Sequence, residues 1–120
     1  MNHISITGNL GKDPEMKFTP TGRKVTTFSV ANNRRWTDDK GEKHEETTWL
    51  NIEAWNGLGE TCAKYLQKGR KVLVEGRIDV RPYTDKDGAR RDWVCITASN
   101  VEFLDAPRSE TPPTNEDVPF

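Results

Sequence analysis

Long apolar runs are missing from this sequence; the longest stretch without a polar residue is the four residues from Trp93 to Ile96. That is far too short for a membrane-spanning helix or for the apolar centre of a secretory leader, so no membrane association is expected and the cytoplasm is the expected compartment. Cysteine is scarce as well. Cys62 and Cys95 stand far apart, which argues against a disulfide framework and against a zinc knuckle, and both read as reduced thiols. Histidine is limited to His3, near the amino terminus, and His44, in a charged stretch. With no Cys/His or Ser/His/Asp constellation and no phosphate-binding loop, neither a metal, a cofactor nor an enzymatic activity is expected.

What is present is unevenly distributed. The 120 residues suit one domain, and they are 32% hydrophobic and 31% charged, yet they include four tryptophans, more than so small a core can easily place. Net charge is −1, but residues 1–104 carry 17 Lys and Arg against 15 Asp and Glu, whereas residues 105–120 carry one Arg against four acids. The body is mildly basic and the tail acidic. Four of the seven prolines fall in that tail, with almost no apolar side chains to offset the entropy of ordering it, so disorder is expected from residue 105 onward.

Upstream, alternating strands are bounded by turn residues. Expected strands run over 4–10, 25–35, 47–55, 71–81 and 91–104, with a short extended piece over 15–19. Asp39-Lys40-Gly41 is the centre of a turn that joins the second and third strands into a long hairpin, and Asp85 to Gly88 turns between the last two. Leu58, Cys62, Tyr65 and Leu66 fall instead at helical spacing, with Gly69 placed for a left-handed cap. Three strands, a short helix and two strands give an all-β fold with the connectivity of the five-stranded OB barrel, whose face can bind oligonucleotides. An unspecified small β-barrel is the alternative; an immunoglobulin-like sandwich needs about seven strands.

Alternation assigns the faces. Leu50, Ile52 and Ala54 belong to the core, which sends Trp49, Asn51, Glu53 and Trp55 outward; Val72, Val74, Gly76, Ile78 and Val80 point inward, leaving Glu75, Arg77, Asp79, Arg81 and Tyr83 outward. Aromatic rings interleaved with arginines suit a single-strand binder, because rings stack on any base while cations follow phosphates. Burial of Trp49 and Trp55 against a partner subunit or under a folded-back loop is the competing reading. Trp36 shares the phase of the core residues Phe28 and Val30 unless a bulge resets it, Trp93 beside Val94 to Ile96 reads as packing, and Phe18, Phe28, Tyr65 and Phe103 read as core or its edge.

The segment Ile4 to Glu15, with Gly8-Asn9-Leu10-Gly11-Lys12-Asp13-Pro14-Glu15, resembles the opening of bacterial-type single-stranded DNA-binding proteins; Ala31 to Trp36, Thr48 to Gly57 and Tyr65 to Gly69 leading into Val74-Glu75-Gly76 match in order. The resemblance implies an OB-fold domain over residues 1–104 that assembles as a homotetramer and protects single-stranded DNA. It implies that Trp36, Trp49, Trp55 and Tyr83 stack bases and that Lys68 and Arg81 contact phosphate. Asn51, Gly57 and Pro82 stand where some members have Arg or Lys, with Lys24, Arg77 and Arg90 as partial substitutes; Leu50 stands where some have an interface histidine. Glu116-Asp117-Val118-Pro119-Phe120 resembles the family's acidic tip, which implies recruitment of replication, recombination and repair proteins through a basic pocket with an apolar floor. An RNA-binding or primosome-type module and a purely protein-binding OB domain remain the alternatives.

Overall fold

The computed structural model describes residues 1–104; the expectations for the acidic tail and its tip, 105–120, lie outside the described residues. Six strands and one helix follow in the order β1 (Ile4–Leu10), β2 (Glu15–Phe18), β3 (Lys24–Thr37), β4 (Lys43–Trp55), α1 (Asn56–Tyr65), β5 (Lys71–Thr84) and β6 (Arg90–Phe103). The strands pair in the order β1-β5-β6-β4-β3-β2, and an additional β1–β3 pairing closes five of them into a ring. This is the OB barrel expected from the sequence, with β2 hydrogen-bonded to β3 outside the ring. The closing pairings are short: Asn9 and Leu10 against Ala31 and Val30, and the parallel pairing of Asn51 to Glu53 with Cys95 to Thr97.

Alternation builds the core. Phe28 and Val30 from β3, Ile52 and Ala54 from β4, Val72 and Val74 from β5, and Ile96 from β6 all occupy the inward phase and are buried. Helix α1 covers one end, where buried Thr26 Oγ1 donates to the Gly59 carbonyl at 2.7 Å and Cys62 and Leu66 join the cluster. The helix ends at Tyr65 with an extended cap residue, Leu66, and not at Gly69. Gly69 does take a left-handed φ of 89°, but in the following turn, where its N–H donates to the Leu10 carbonyl and the Arg70 N–H donates to Gln67.

Beyond the barrel the same strands run on as two hairpin arms. In the β3–β4 arm the pairing is continuous from Val25 opposite Trp55 to Thr37 opposite Lys43; the β5–β6 arm reaches Thr84 opposite Arg90 after a bulge at Glu75/Gly76. Here the inward phase has nothing to bury it. Ile78 and Val80, assigned to the core by alternation, are 42% and 51% exposed, as is Val94 at 48%. Phe18 and Tyr65, read as core or its edge, are also exposed, because β2 and the last turn of α1 lie on the outside of the ring. Among the described residues no helix is long and apolar enough to cross a membrane, and no group of His, Cys, Asp and Glu is arranged to hold a metal ion.

Candidate nucleic-acid interface

The neighbouring strands β4, β6 and β5 present one continuous outer face. Trp49, Asn51, Glu53 and Trp55 come from β4, Trp93 and Thr97 from β6, and Arg77, Asp79, Arg81 and Tyr83 from β5. Parallel register sets Glu53 beside Thr97, and antiparallel register sets Arg81 opposite Trp93 and Tyr83 opposite Arg91.

Trp49, 58% exposed, owes its position to Gly11: a Cβ there would lie 2.4 Å from the indole Cζ3. The ring therefore lies against bare backbone. Trp55 sits at the end of β4, where Asn56 takes a left-handed φ of 52° that asparagine tolerates better than most residues, and the Arg23 guanidinium lies 4.5 Å from the indole centroid. Trp36 occupies a different face. No bulge interrupts β3–β4, so it keeps the inward phase and projects past the barrel rim, stacked on His44 at 5.2 Å with the Arg34 guanidinium 4.7 Å from its centroid.

The expected phosphate contacts divide in the same way. Arg81 is clamped: Nη1 and Nη2 donate to Glu53 at 3.1 and 2.8 Å, and Nη2 also donates to Asp79 at 2.9 Å. These hydrogen bonds, those to Glu53 foremost, raise the guanidinium pKa further and fix its charge. Lys24 is paired with Glu60 of α1 at 2.7 Å, away from the outer face. Lys68 follows α1, its backbone N–H donating to Asp13 at 2.8 Å, and Arg90 stands at the tip of the β5–β6 arm. Arg77 is exposed on the outer face opposite Thr97. Thus Trp49, Trp55, Tyr83, Arg77 and Arg81 are brought together on one face, whereas Trp36, Lys24 and Arg90 are not.

Comparison with known proteins identifies the family. The model of the single-strand binding protein family matches residues 1–104. The chain belongs to that family. A single-stranded DNA-binding protein of Neisseria meningitidis serogroup A is 40% identical over 104 residues, covering 87% of this chain and 60% of the relative; one from Clostridium acetobutylicum is 42% identical over 106 residues, covering 88% and 72%. The chain thus spans about 60% of the length of the Neisseria relative. The solved Plasmodium falciparum SSB complex with ssDNA contains a chain that superposes with a TM-score of 0.80 at 33% identity, covering 88% of this chain and 96% of that one.

The resemblance read from the sequence assigns no role to Trp93, and the structure places it. Read from sequence as packing, it is 43% exposed and lines an open groove with Asn51, Glu53, Lys12 and Lys17. The signal was available in the alternation of β6: with Ile96 and Ala98 in the core, Trp93 takes the opposite phase, on the face it shares with Arg81.

Proposed function

We propose that this protein binds single-stranded DNA across the outer face of β4, β6 and β5, with rings stacking on bases and the mildly basic barrel attracting the backbone. The observation that carries this reading is the presence of Trp49, Trp55 and Trp93 on one sheet face beside Arg77 and Tyr83. Each base stacked on an aromatic ring supplies ~1 to 3 kcal/mol, and paired bases offer no free face, so single strands are preferred to duplex. Trp36 at the end of the β3–β4 arm and Lys68 beside the Lys12–Asp13 loop extend the path in this reading. Titration of the intrinsic fluorescence with single-stranded DNA, RNA and duplex DNA tests it. Quenching by single-stranded DNA at the lowest concentration, weakened by added salt, is the expected result. No quenching by any nucleic acid would reject the reading in favour of a protein-binding OB domain.

Two further parts of the proposal rest on family membership and sequence. The protein assembles as a homotetramer, which native mass measurement at micromolar concentration tests; a monomer would reject it. The acidic segment Glu116 to Phe120 recruits replication, recombination and repair proteins, as its likeness to the family's tip suggests. Deleting Val118 to Phe120 is expected to abolish their capture and leave DNA affinity nearly intact; retained capture would reject the role.

A further inference from the structure

We infer that Arg23 is a phosphate ligand for single-stranded DNA, placed so that the Trp55 ring and the Arg23 guanidinium take the base and the phosphate of one nucleotide. This rests on the single-strand-binding reading above and adds to it a contact residue from outside the three strands of that face.

The turn between β2 and β3 sets where Arg23 stands. Thr19 accepts the Gly22 N–H on its carbonyl at 2.8 Å and the Arg23 N–H on its hydroxyl at 3.1 Å, and its own N–H donates to the Arg23 carbonyl at 2.8 Å. Gly22 supplies the left-handed φ of 88° within this turn. The alternation of β3 decides the rest. Val25 lies opposite Trp55, so Arg23, two residues earlier, shares the outer face with that ring, and its guanidinium lies 4.5 Å from the indole centroid. Lys24 takes the other phase and is bound to Glu60 of α1 at 2.7 Å.

Pairing separates Arg23 from the other arginines beside aromatic rings. It is exposed, and among the described residues its guanidinium has neither a hydrogen-bond acceptor nor a carboxylate partner. Arg81 would have to give up its bonds to Glu53 and Asp79 before it could bind a phosphate, and Arg34, which lies over Trp36 in the same manner, has Glu46 at 4.0 Å. The outer-face acids nearest to Trp55 in register are Glu53, bonded by Arg81, and Glu15 on β2 opposite Thr27, which Lys17 follows two residues on along the same face. The Trp55 end of the face therefore keeps an unpaired positive charge beside an indole. A nucleotide finds both partners there: the base takes the ring, the guanidinium turns to the adjoining phosphate, and no ion pair is broken in the exchange. Arginine suits this double use because its planar fork lies flat on a ring and also matches the geometry of a phosphate.

The experiment measures the affinity of the full chain for labelled oligo-dT by fluorescence anisotropy over a range of salt concentrations, beside its Arg23→Gln, Arg23→Lys and Lys24→Gln variants. The turn's hydrogen bonds reach only the backbone of residue 23, so the variants keep the turn. Arg23→Gln is expected to weaken binding about threefold to tenfold at low salt. It should also reduce the slope of log affinity against log salt by about 0.7, the share of one phosphate on a single strand. Arg23→Lys restores the slope, and Lys24→Gln leaves slope and affinity near wild type. In a Trp55→Ala background the Arg23→Gln loss shrinks, because the phosphate no longer belongs to a stacked base. A packing role on Trp55 would change affinity and leave the slope alone, so a wild-type slope in Arg23→Gln overturns the inference. An equal loss in Lys24→Gln, or an undiminished Arg23→Gln loss without Trp55, overturns it as well. Failure of the wild-type chain to bind oligo-dT at any salt would instead reject the single-strand-binding reading itself.

Discussion

The two hairpin arms end in tips built on one plan and held by different side-chain partners. In the β3–β4 tip, Asp38 Oδ1 accepts the N–H groups of Lys40 and Glu42, both at 2.9 Å, while the Gly41 N–H donates to the Asp38 carbonyl at 3.0 Å. In the β5–β6 tip, Asp85 Oδ1 accepts from Asp87 and Ala89 at 2.9 Å, and the Gly88 N–H donates to the Asp85 carbonyl at 3.1 Å. Six residues after each aspartate comes the side chain bonded to its Oδ2, His44 for Asp38 and Arg91 for Asp85. An aspartate with a glycine three residues on is thus enough to fix the turn. That partner decides what the arm does next, since His44 also stacks on Trp36, whereas Arg91 pairs in register with Tyr83.

The arms differ along their flanks too. Near its tip the first pairs Arg34 with Glu46 and Arg35 with Glu45, and the second exposes Ile78, Val80 and Val94. Truncating aromatics is the strongest way to sharpen this contrast. Trp49→Ala, at the root of the first arm on the outer face, is expected to weaken single-strand binding by ~1 to 3 kcal/mol. Trp36→Ala should cost less, because Arg34 and His44 already lie against its ring and a base must displace one of them. Equal losses in equilibrium titrations would show that the two faces of the arm are used alike.

Next in size is Gly11→Ala. Its Cβ meets only the far end of the Trp49 indole and the Ser29 hydroxyl, so the ring must move while the backbone need not. Weaker binding with a melting temperature close to wild type is expected; a large loss of stability would mean that the Trp49 contact supports the barrel.

Acid separates the tips from the barrel. Hydrogen bonds hold both aspartate pKa values below the ordinary 3.8, the largest contribution coming from His44 for Asp38 and from Arg91 for Asp85. A depressed carboxylate contributes stability above its unfolded pKa and loses it as pH falls through the folded value. Both tips should therefore loosen only below about pH 4, and Asp38→Asn or Asp85→Asn should flatten that acid limb for its own arm in amide-resolved NMR. A loosening centred near neutral pH would contradict these assignments.

The smallest expected effect is at the alkaline end. Burial pushes the Cys62 thiol up to about 11 from 9.0, so its neutral form is favoured by folding. That contribution is complete below about pH 9 and is lost as pH rises toward 11. Cys62→Ala should remove this part of the alkaline slope in thermal melts, and rapid labelling of Cys62 in the native protein at neutral pH would contradict its burial.

Most of the barrel was legible because alternation and turn chemistry are local. The succession of strands along the chain, the helix before β5 and the outward phase of Trp49, Trp55, Arg77, Arg81 and Tyr83 all follow from spacing. Alternation does not say where a strand leaves the ring, and for that reason Ile78 and Val80 looked like core. Nor does it say which strands become neighbours. The Glu53–Arg81 clamp depends on β6 lying between β4 and β5, and pairing of strands so distant in sequence is not encoded in any local pattern. Trp93 was the exception, readable from the phase of Ile96 and missed beside an apolar run.

The short parallel pairing between β4 and β6 has a consequence for how the barrel opens. Only the segments 51–53 and 95–97 join there, and backbone hydrogen bonds across so brief a seam are fewer than along either arm. Arg81 spans it from β5 to Glu53 like a strap over a joint. Transient parting should start at the brief seams, this one and the two-residue β1–β3 closure, and not at the hairpins, so their amides should exchange with deuterium through a subglobal opening of lower free energy than full unfolding. Cutting the strap with Arg81→Met would lower that free energy further while leaving exchange in the β3–β4 arm unchanged.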